Sequence, residues 1–241
     1  MGHFQADLEK YYRIEFGVDR PTFRQRLKLW MTNLGLHCIA VYRLGQSLQR
    51  LRRAGSRLVL VAFIPYEMAC FFIKGIYHVD IFAATIGPGF YIGHVGTIYI
   101  GRCTIGSNVS VTHNVTIGQG FSGESHGLPT LGNDIWIGAG SILYGKIRIS
   151  DGVTINCGSV LSRSLPAKSL AAGNPARILL LNHDNAVLFR NWREKPEIEK
   201  PESAAQADRP NTIKLEPGYT DHVPPDLDLH PPESAEASLT A

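Results

Sequence analysis

From Ile86 to Leu161 an aliphatic residue returns at every sixth position, most regularly as Leu131, Ile137, Leu143, Ile149, Ile155 and Leu161. A period of six is neither helical nor plain strand alternation. It predicts short strands joined by turns and wound as a parallel β-helix, in which like side chains stack coil upon coil. An earlier run, Ile86, Ile92 and Ile98, shifts by one residue and resumes at Ile105, Val111 and Ile117, which places an extra residue near Arg102 to Thr104. With three six-residue sides to a coil, positions 18 apart lie over one another, so Leu131, Ile149 and Ala167 are expected in one inward column. Between Ile117 and Leu131 the segment QGFSGESHGLPT, Gln119 to Thr130, interrupts the repeat. Its glycines, serines and Pro129 are turn formers, and it reads as a loop extruded from the coil, where chemistry tends to sit.

Upstream, over residues 5–77, apolar residues recur at helical spacing, as in Leu27, Trp30, Met31, Leu34 and Cys38, and predict a small helical domain. Leu58 to Tyr77 is strongly apolar yet holds Pro65, Glu67 and Lys74. Charges of that kind are costly in a bilayer core, so the stretch is expected to be a buried helix rather than a membrane span. After Glu194 the chain turns to proline, acid and alanine, a composition that buries too little apolar surface to offset ordering and predicts a disordered tail. The expected divisions are a helical domain at 1–78, a β-helix at 79–180, an extension at 181–194 and the acidic, proline-rich tail at 195–241.

With 241 residues, 44% of them hydrophobic, the composition fits one sizeable core plus a small appended domain, and argues against a fibre or a fully disordered chain. The net charge of +3 gives no nucleic-acid signature, but it is polarised: residues 1–60 carry an excess of seven basic groups and residues 195–241 an excess of six acidic ones. Arg43, Arg50, Arg52, Arg53 and Arg57 form a basic stretch whose face is a candidate contact for an anionic membrane. Cys38, Cys70, Cys103 and Cys157 lack CxxC spacing, which disfavours a zinc site or a disulfide framework and fits a reducing cytoplasm. The first residues, MGHFQADLEKYYR, lack the apolar core and cleavage site of a secretory signal, so export is not expected.

Imidazole is the commonest general base at neutral pH, which directs attention to three histidines. His94 follows Ile92 and Gly93, His113 lies 19 residues later and falls about one coil above it, and His126 sits in the interrupting loop. Three on neighbouring coils or the adjoining loop suggest a shared site.

The segments YHVDIFAATIGPGFYIGHVGTIYIG, VTIGQGFSGESHG, IWIGAGSILYGKI and AAGNPARIL resemble the serine O-acetyltransferase family of left-handed β-helix acyltransferases. Upstream, GLHCIAVYRLGQSLQRL is similar to the helix before that family's catalytic domain, and the likeness spans roughly residues 20–180. The resemblance implies a mainly β fold, a left-handed parallel β-helix of hexapeptide repeats behind a small helical domain. It implies a homotrimer with acetyl-CoA in a groove between adjacent β-helices, and no metal. On this pattern His94 is the general base, Asp80 orients its ring and stabilises the imidazolium, and His126 contacts the acceptor or the tetrahedral intermediate. Gly118, Gly120, Ala139 and Cys157 match positions that let the coenzyme approach the coil, Ala139 and Cys157 in one column. His113 is a substrate contact or a turn residue.

The chain also departs from the family. The acid that directly precedes the family's base histidine is Gly93 here, and the arginine common before the loop histidine is Ser125, a substrate-binding candidate. Both are groups that would grip a zwitterionic amino acid. A third family acid, from the helical domain, aligns with Asp19, and the spacing from Asp80 to His94 is one residue shorter than usual. These departures favour a neutral acceptor, a sugar hydroxyl of a surface polysaccharide or its precursor, with serine O-acetylation as the alternative. A zinc site built from His94, His113 and His126, and a non-catalytic scaffold, are the rival readings.

Overall fold

The computed structural model describes residues 2–81, 83–120 and 126–189. Four helices come first: α1 (His3–Phe16), α2 (Phe23–Thr32), α3 (Leu34–Arg53) and α4 (Leu58–Ile76). A three-sided parallel β-helix follows. Sheet A stacks β1 (Val79–Ile81), β4 (Ile98–Ile100), β7 (Thr116–Gly118), β10 (Ile142–Tyr144) and β13 (Val160–Leu161). Sheet B stacks β2 (Thr85–Ile86), β5 (Thr104–Ile105), β8 (Thr130–Leu131) and β11 (Arg148–Ile149). Sheet C stacks β3 (Tyr91–Ile92), β6 (Ser110–Val111), β9 (Trp136–Ile137) and β12 (Thr154–Ile155), then closes with the hairpin β14 (Leu170–Gly173) and β15 (Ala176–Leu180).

The six-residue period holds because every coil presents one aliphatic residue per side to the axis. Sheet C shows it plainly: Ile92, Val111, Ile137, Ile155 and Ala171 are in register and all fully buried. In sheet B the inward column is Ile86, Ile105, Leu131, Ile149 and Leu165. Ala167, the residue expected above Ile149, is exposed; the last coil takes a shorter corner after Leu161, so Leu165 arrives first.

The extra residue also lies elsewhere than the spacing implied. Ile92 pairs with Val111 and Ile100 with Ile117, so the first coil takes eight steps where the second takes six. The expansion is at residues 93–97, and the corner at Arg102 to Thr104 is one residue short instead. Ile98 satisfies the period, but β4 alternates: Ile98 and Ile100 both point inward, Tyr99 points out, and Ile100 holds the register.

Alternate backbone groups of the first coil have no preceding strand to bond, and helices α1 and α3 satisfy them with side chains. The Ile86 N–H donates to Tyr42 Oη at 3.1 Å, and that hydroxyl donates to the Ala84 carbonyl at 2.8 Å. Phe90 N–H donates to Asp7 at 2.8 Å and Ile92 N–H to Tyr11 Oη at 3.0 Å. Arg43 donates to the carbonyls of Ile86 at 2.7 Å and Gly87 at 2.6 Å while pairing with buried Asp7 at 2.7 Å. Arg43 therefore belongs to this cap and leaves the basic surface stretch to Arg50, Arg52, Arg53 and Arg57, which are exposed. At Gly35 the first turn of α3 crosses so close to the coil that a Cβ would collide with the Ile92 carbonyl. Helices and coils share one core, in which Tyr11, Leu36 and Ile39 continue the stack of Ile86, Phe90 and Ile92.

The helical spacing over residues 5–77 does fold as helices, and one expectation, for α4, fails. The apolar stripe from Leu27 to Cys38 is broken at Asn33, the cap between α2 and α3. Cys38 is buried, but Leu27, Trp30, Met31 and Leu34 lie on the surface, and Leu29 and Leu36 fill the core in their place. Helix α4 is not buried either: only 6% of its apolar window, Val59–Ile76, is covered. Val59, Ala62, Tyr66, Cys70 and Ile73 form the single stripe that faces inward, and most other apolar side chains of α4 face out. The expected tail at 195–241 lies outside the described residues.

Candidate active site

The corner joining sheet C to sheet A repeats one position on successive coils: His94, His113, Ala139 and Cys157, each two residues beyond its inward aliphatic. Backbone bonds hold the column, with Gly140 N–H donating to the His113 carbonyl at 3.1 Å and Gly158 N–H to the Ala139 carbonyl at 2.7 Å. The rings of His94 and His113 meet edge to face, 6.1 Å between centroids, and both residues are exposed. Above them the corner turns through left-handed Asn114, Gly140 and Gly158, at φ 57°, 72° and 69°. The first coil instead turns at Gly96 and Thr97, at φ 134° and 32°, because of its two additional residues. A β-branched residue at positive φ is strained, so the irregular and strained corner is the one that presents His94.

Beside His94 a cleft of about 490 Å³ opens between α1 and sheet C, lined by Ile14, Glu15, Tyr91, His94, Thr112 and Trp136. The Glu15 carboxylate accepts from Tyr91 Oη at 3.2 Å and from Asn33 Nδ2 at 3.0 Å. Burial, and secondarily the neighbouring Glu15 charge, push the Tyr91 hydroxyl above its ordinary range, so it stays a neutral donor. Glu15 is not among the residues the sequence singles out. Asp19, the acid expected from the helical domain, is exposed and pairs with Arg13 at 3.2 Å. The signal lay in helical phase: Asp7, Tyr11 and Glu15 follow at steps of four, and the first two bond the coil edge.

The other candidates are dispersed. Asp80 sits on sheet A, where its carboxylate pairs with Lys74 of α4 at 3.0 Å and makes no contact with His94. Gly118 and Gly120 lie at the far end of β7, where Gly120 N–H donates to the Gly127 carbonyl at 3.0 Å and closes the base of the interrupting loop. His126 is exposed on that base, 3.5 Å from Gln119. Ser125 lies outside the described residues. One side of the coil separates the loop from the histidine corner, roughly 15 Å at about 3.3 Å per residue. Within one chain His94, His113 and His126 therefore do not converge, and no group of metal-holding side chains is found among the described residues. Between the two edges the outer face of sheet A is apolar, with Tyr99, Ile142 and Tyr144 exposed.

Such a coil, with a histidine corner on one edge and a loop on the next, defines an acyltransferase of the hexapeptide-repeat β-helix class. No family model matches the chain. The serine acetyltransferase of Helicobacter pylori (strain ATCC 700392 / 26695) is 34% identical over 163 residues, 66% of this chain and 89% of that protein. The crystal structure of Neisseria gonorrhoeae serine acetyltransferase in complex with serine matches at TM-score 0.57 and 26% identity, covering 73% of this chain and 67% of that one. That of serine acetyltransferase in complex with coenzyme A from Brucella abortus strain S19 matches at TM-score 0.54 and 26% identity, over 73% and 65%. The chain belongs to the serine acetyltransferase family.

Proposed function

We propose that this chain transfers the acetyl group of acetyl-CoA to the hydroxyl of L-serine. The observation that carries the reading is Glu15, whose carboxylate lines the cleft beside His94. It offers an ammonium group the charge that Gly93 withholds, and so removes one of the sequence's reasons for preferring a sugar.

In this reading His94 takes the proton of the acceptor hydroxyl as its oxygen attacks the thioester carbonyl carbon. The tetrahedral intermediate collapses, the carbon–sulfur bond breaks, and the imidazolium returns the proton to the leaving thiolate. Asp80, tied to Lys74 on sheet A, is given no part in the proton transfer, and His113 stands over His94 as an acceptor contact. The coenzyme lies along Ala139 and Cys157. We place three copies side by side through the apolar face of sheet A, so that His126, Gly118 and Gly120 of one copy face the histidine corner of the next. A bound neighbour would close the 15 Å gap that one chain leaves open (roughly one coil side). The four cysteines are free, which suits a cytoplasmic enzyme.

A sugar hydroxyl is the second reading, favoured by Tyr91 and Trp136, whose rings line the same cleft. Thiol release from acetyl-CoA, measured with L-serine and with a glycan panel, separates the two. L-serine is expected to turn over, His94→Ala to lose a factor of about 10²–10⁴, and Glu15→Gln to raise the Michaelis constant for serine at least tenfold. Turnover on glycans alone, with Glu15→Gln silent, overturns serine.

A further inference from the structure

The largest uncovered apolar surface of the described residues is the outer side of α4. Leu60, Val61, Ile64, Phe71 and Ile76 are each more than 60% exposed, within a window of mean hydropathy 1.7. A helix with so broad an apolar surface is found in a protein core or in lipid, and α4, which carries Glu67 and Lys74 as its charged residues, is not in the core. The surface around it is predominantly basic, with Glu67 on α4 the single acid between Arg20 and Lys74. From Arg20 to Tyr66 the chain has no acidic residue and nine lysines and arginines, of which only Arg43 is buried. Arg50, Arg52, Arg53 and Arg57 cluster at the turn that leads into α4, and Arg24, Arg26 and Lys28 lie on α2. The two helices are joined at their far ends, where Trp30 stacks on His37 and His37 on Tyr77.

We propose that this face docks the enzyme on an anionic lipid bilayer, with α4 lying in the interface parallel to the membrane. Spanning is ruled out by the packing: the Tyr66 ring sits so close to Gly45 of α3 that a Cβ there would collide with it, and α3 is itself pinned to the first coil by Tyr42 and Arg43. The helix is also anchored at its exit by the Lys74–Asp80 pair. Lying flat, it sinks its outer side chains among acyl chains, while the arginines meet lipid headgroups. A second copy is the poorer occupant, because pairing two such faces brings the exposed basic groups of both copies together, with Glu67 the single acid between Arg20 and Lys74 to set against them. The proposal extends the one membrane contact expected from the basic stretch, and it is independent of which hydroxyl is acetylated.

Sedimentation of the full chain with extruded vesicles tests it. Binding is expected to vesicles containing phosphatidylglycerol, to weaken at least tenfold in pure phosphatidylcholine or in half-molar salt, and to fall at least tenfold in Ile64→Glu/Phe71→Glu and in Arg52→Glu/Arg53→Glu. Both pairs lie outside the acyl-transfer site, so retained thiol release certifies their fold. Phe71→Trp keeps the surface apolar and is expected to shift its emission to the blue and be quenched by brominated acyl chains. Failure to bind phosphatidylglycerol vesicles at low salt overturns the proposal. So does light scattering in which Ile64→Glu/Phe71→Glu halves the oligomer, since a second copy would then be the occupant.

Discussion

The β-helix and the four helices before it both carry regular apolar patterns, yet one pattern reports burial and the other does not. In the coil an inward position has a neighbour above, a neighbour below and two other sides closing on it, so Ile137 is buried whatever else the protein meets. A helix offers its whole circumference, and only contacts elsewhere decide which part is covered. In α4, Ile73 faces the core, and Ile64 on the same helix is 68% exposed. Periodicity that arises from stacking is self-fulfilling; periodicity along a single helix needs a second body to give it meaning.

The cap between the two regions is the place where breaking the comparison costs most. Arg43→Met leaves Asp7 buried without its partner and strips the Ile86 and Gly87 carbonyls of a donor, and is expected to cost about 3–5 kcal/mol in denaturant unfolding. If Asp7→Asn in the same chain fails to recover part of the loss, the buried charge is not its cause. Next, Ile137→Ala in the coil is expected to cost about 2–5 kcal/mol, whereas Ile64→Ser in α4 is expected within about 0.5 kcal/mol of the parent. Equal losses at the two sites would erase the distinction drawn above.

Smaller than the losses in the cap and the coil is the effect at Lys10, whose ammonium is buried against the Phe189 ring, 4.8 Å from its centroid, with no hydrogen-bond partner. Burial first, offset by Asp134 and Asp7, holds its pKa well below 10.5. The unfolded chain then binds a proton that the folded chain gives up, so stability rises with pH between the lowered value and 10.5. Lys10→Met is expected to abolish that rise and to add roughly 1 kcal/mol or more at neutral pH, read as melting temperature against pH.

The same contrast explains what could be read from the sequence. The coil columns were plain, since hexapeptide spacing is a direct image of the stack. Its two misreadings, Ala167 for Leu165 and Arg102 to Thr104 for residues 93–97, both fall where a corner changes length and a neighbouring aliphatic keeps the count intact. The stacking of His94 under His113 followed from the same ruler. Glu15 did not, because a lone glutamate on a helix has no motif; only the bonds that Asp7 and Tyr11 make to β3 show which face of α1 looks toward the site. Nor could spacing tell that Asp80 is engaged by Lys74, a partner 6 residues away on a different element.

The side chains that occupy the first coil's open edge have a consequence for assembly. A parallel coil ending in bare backbone is a growth point, able to accept the last strand of another molecule and extend without limit. Tyr11, Tyr42, Arg43 and Asp7 fill those valences with groups that have nothing further to donate along the axis. The helices thus act as a terminator, closing this end of the coil to a further strand.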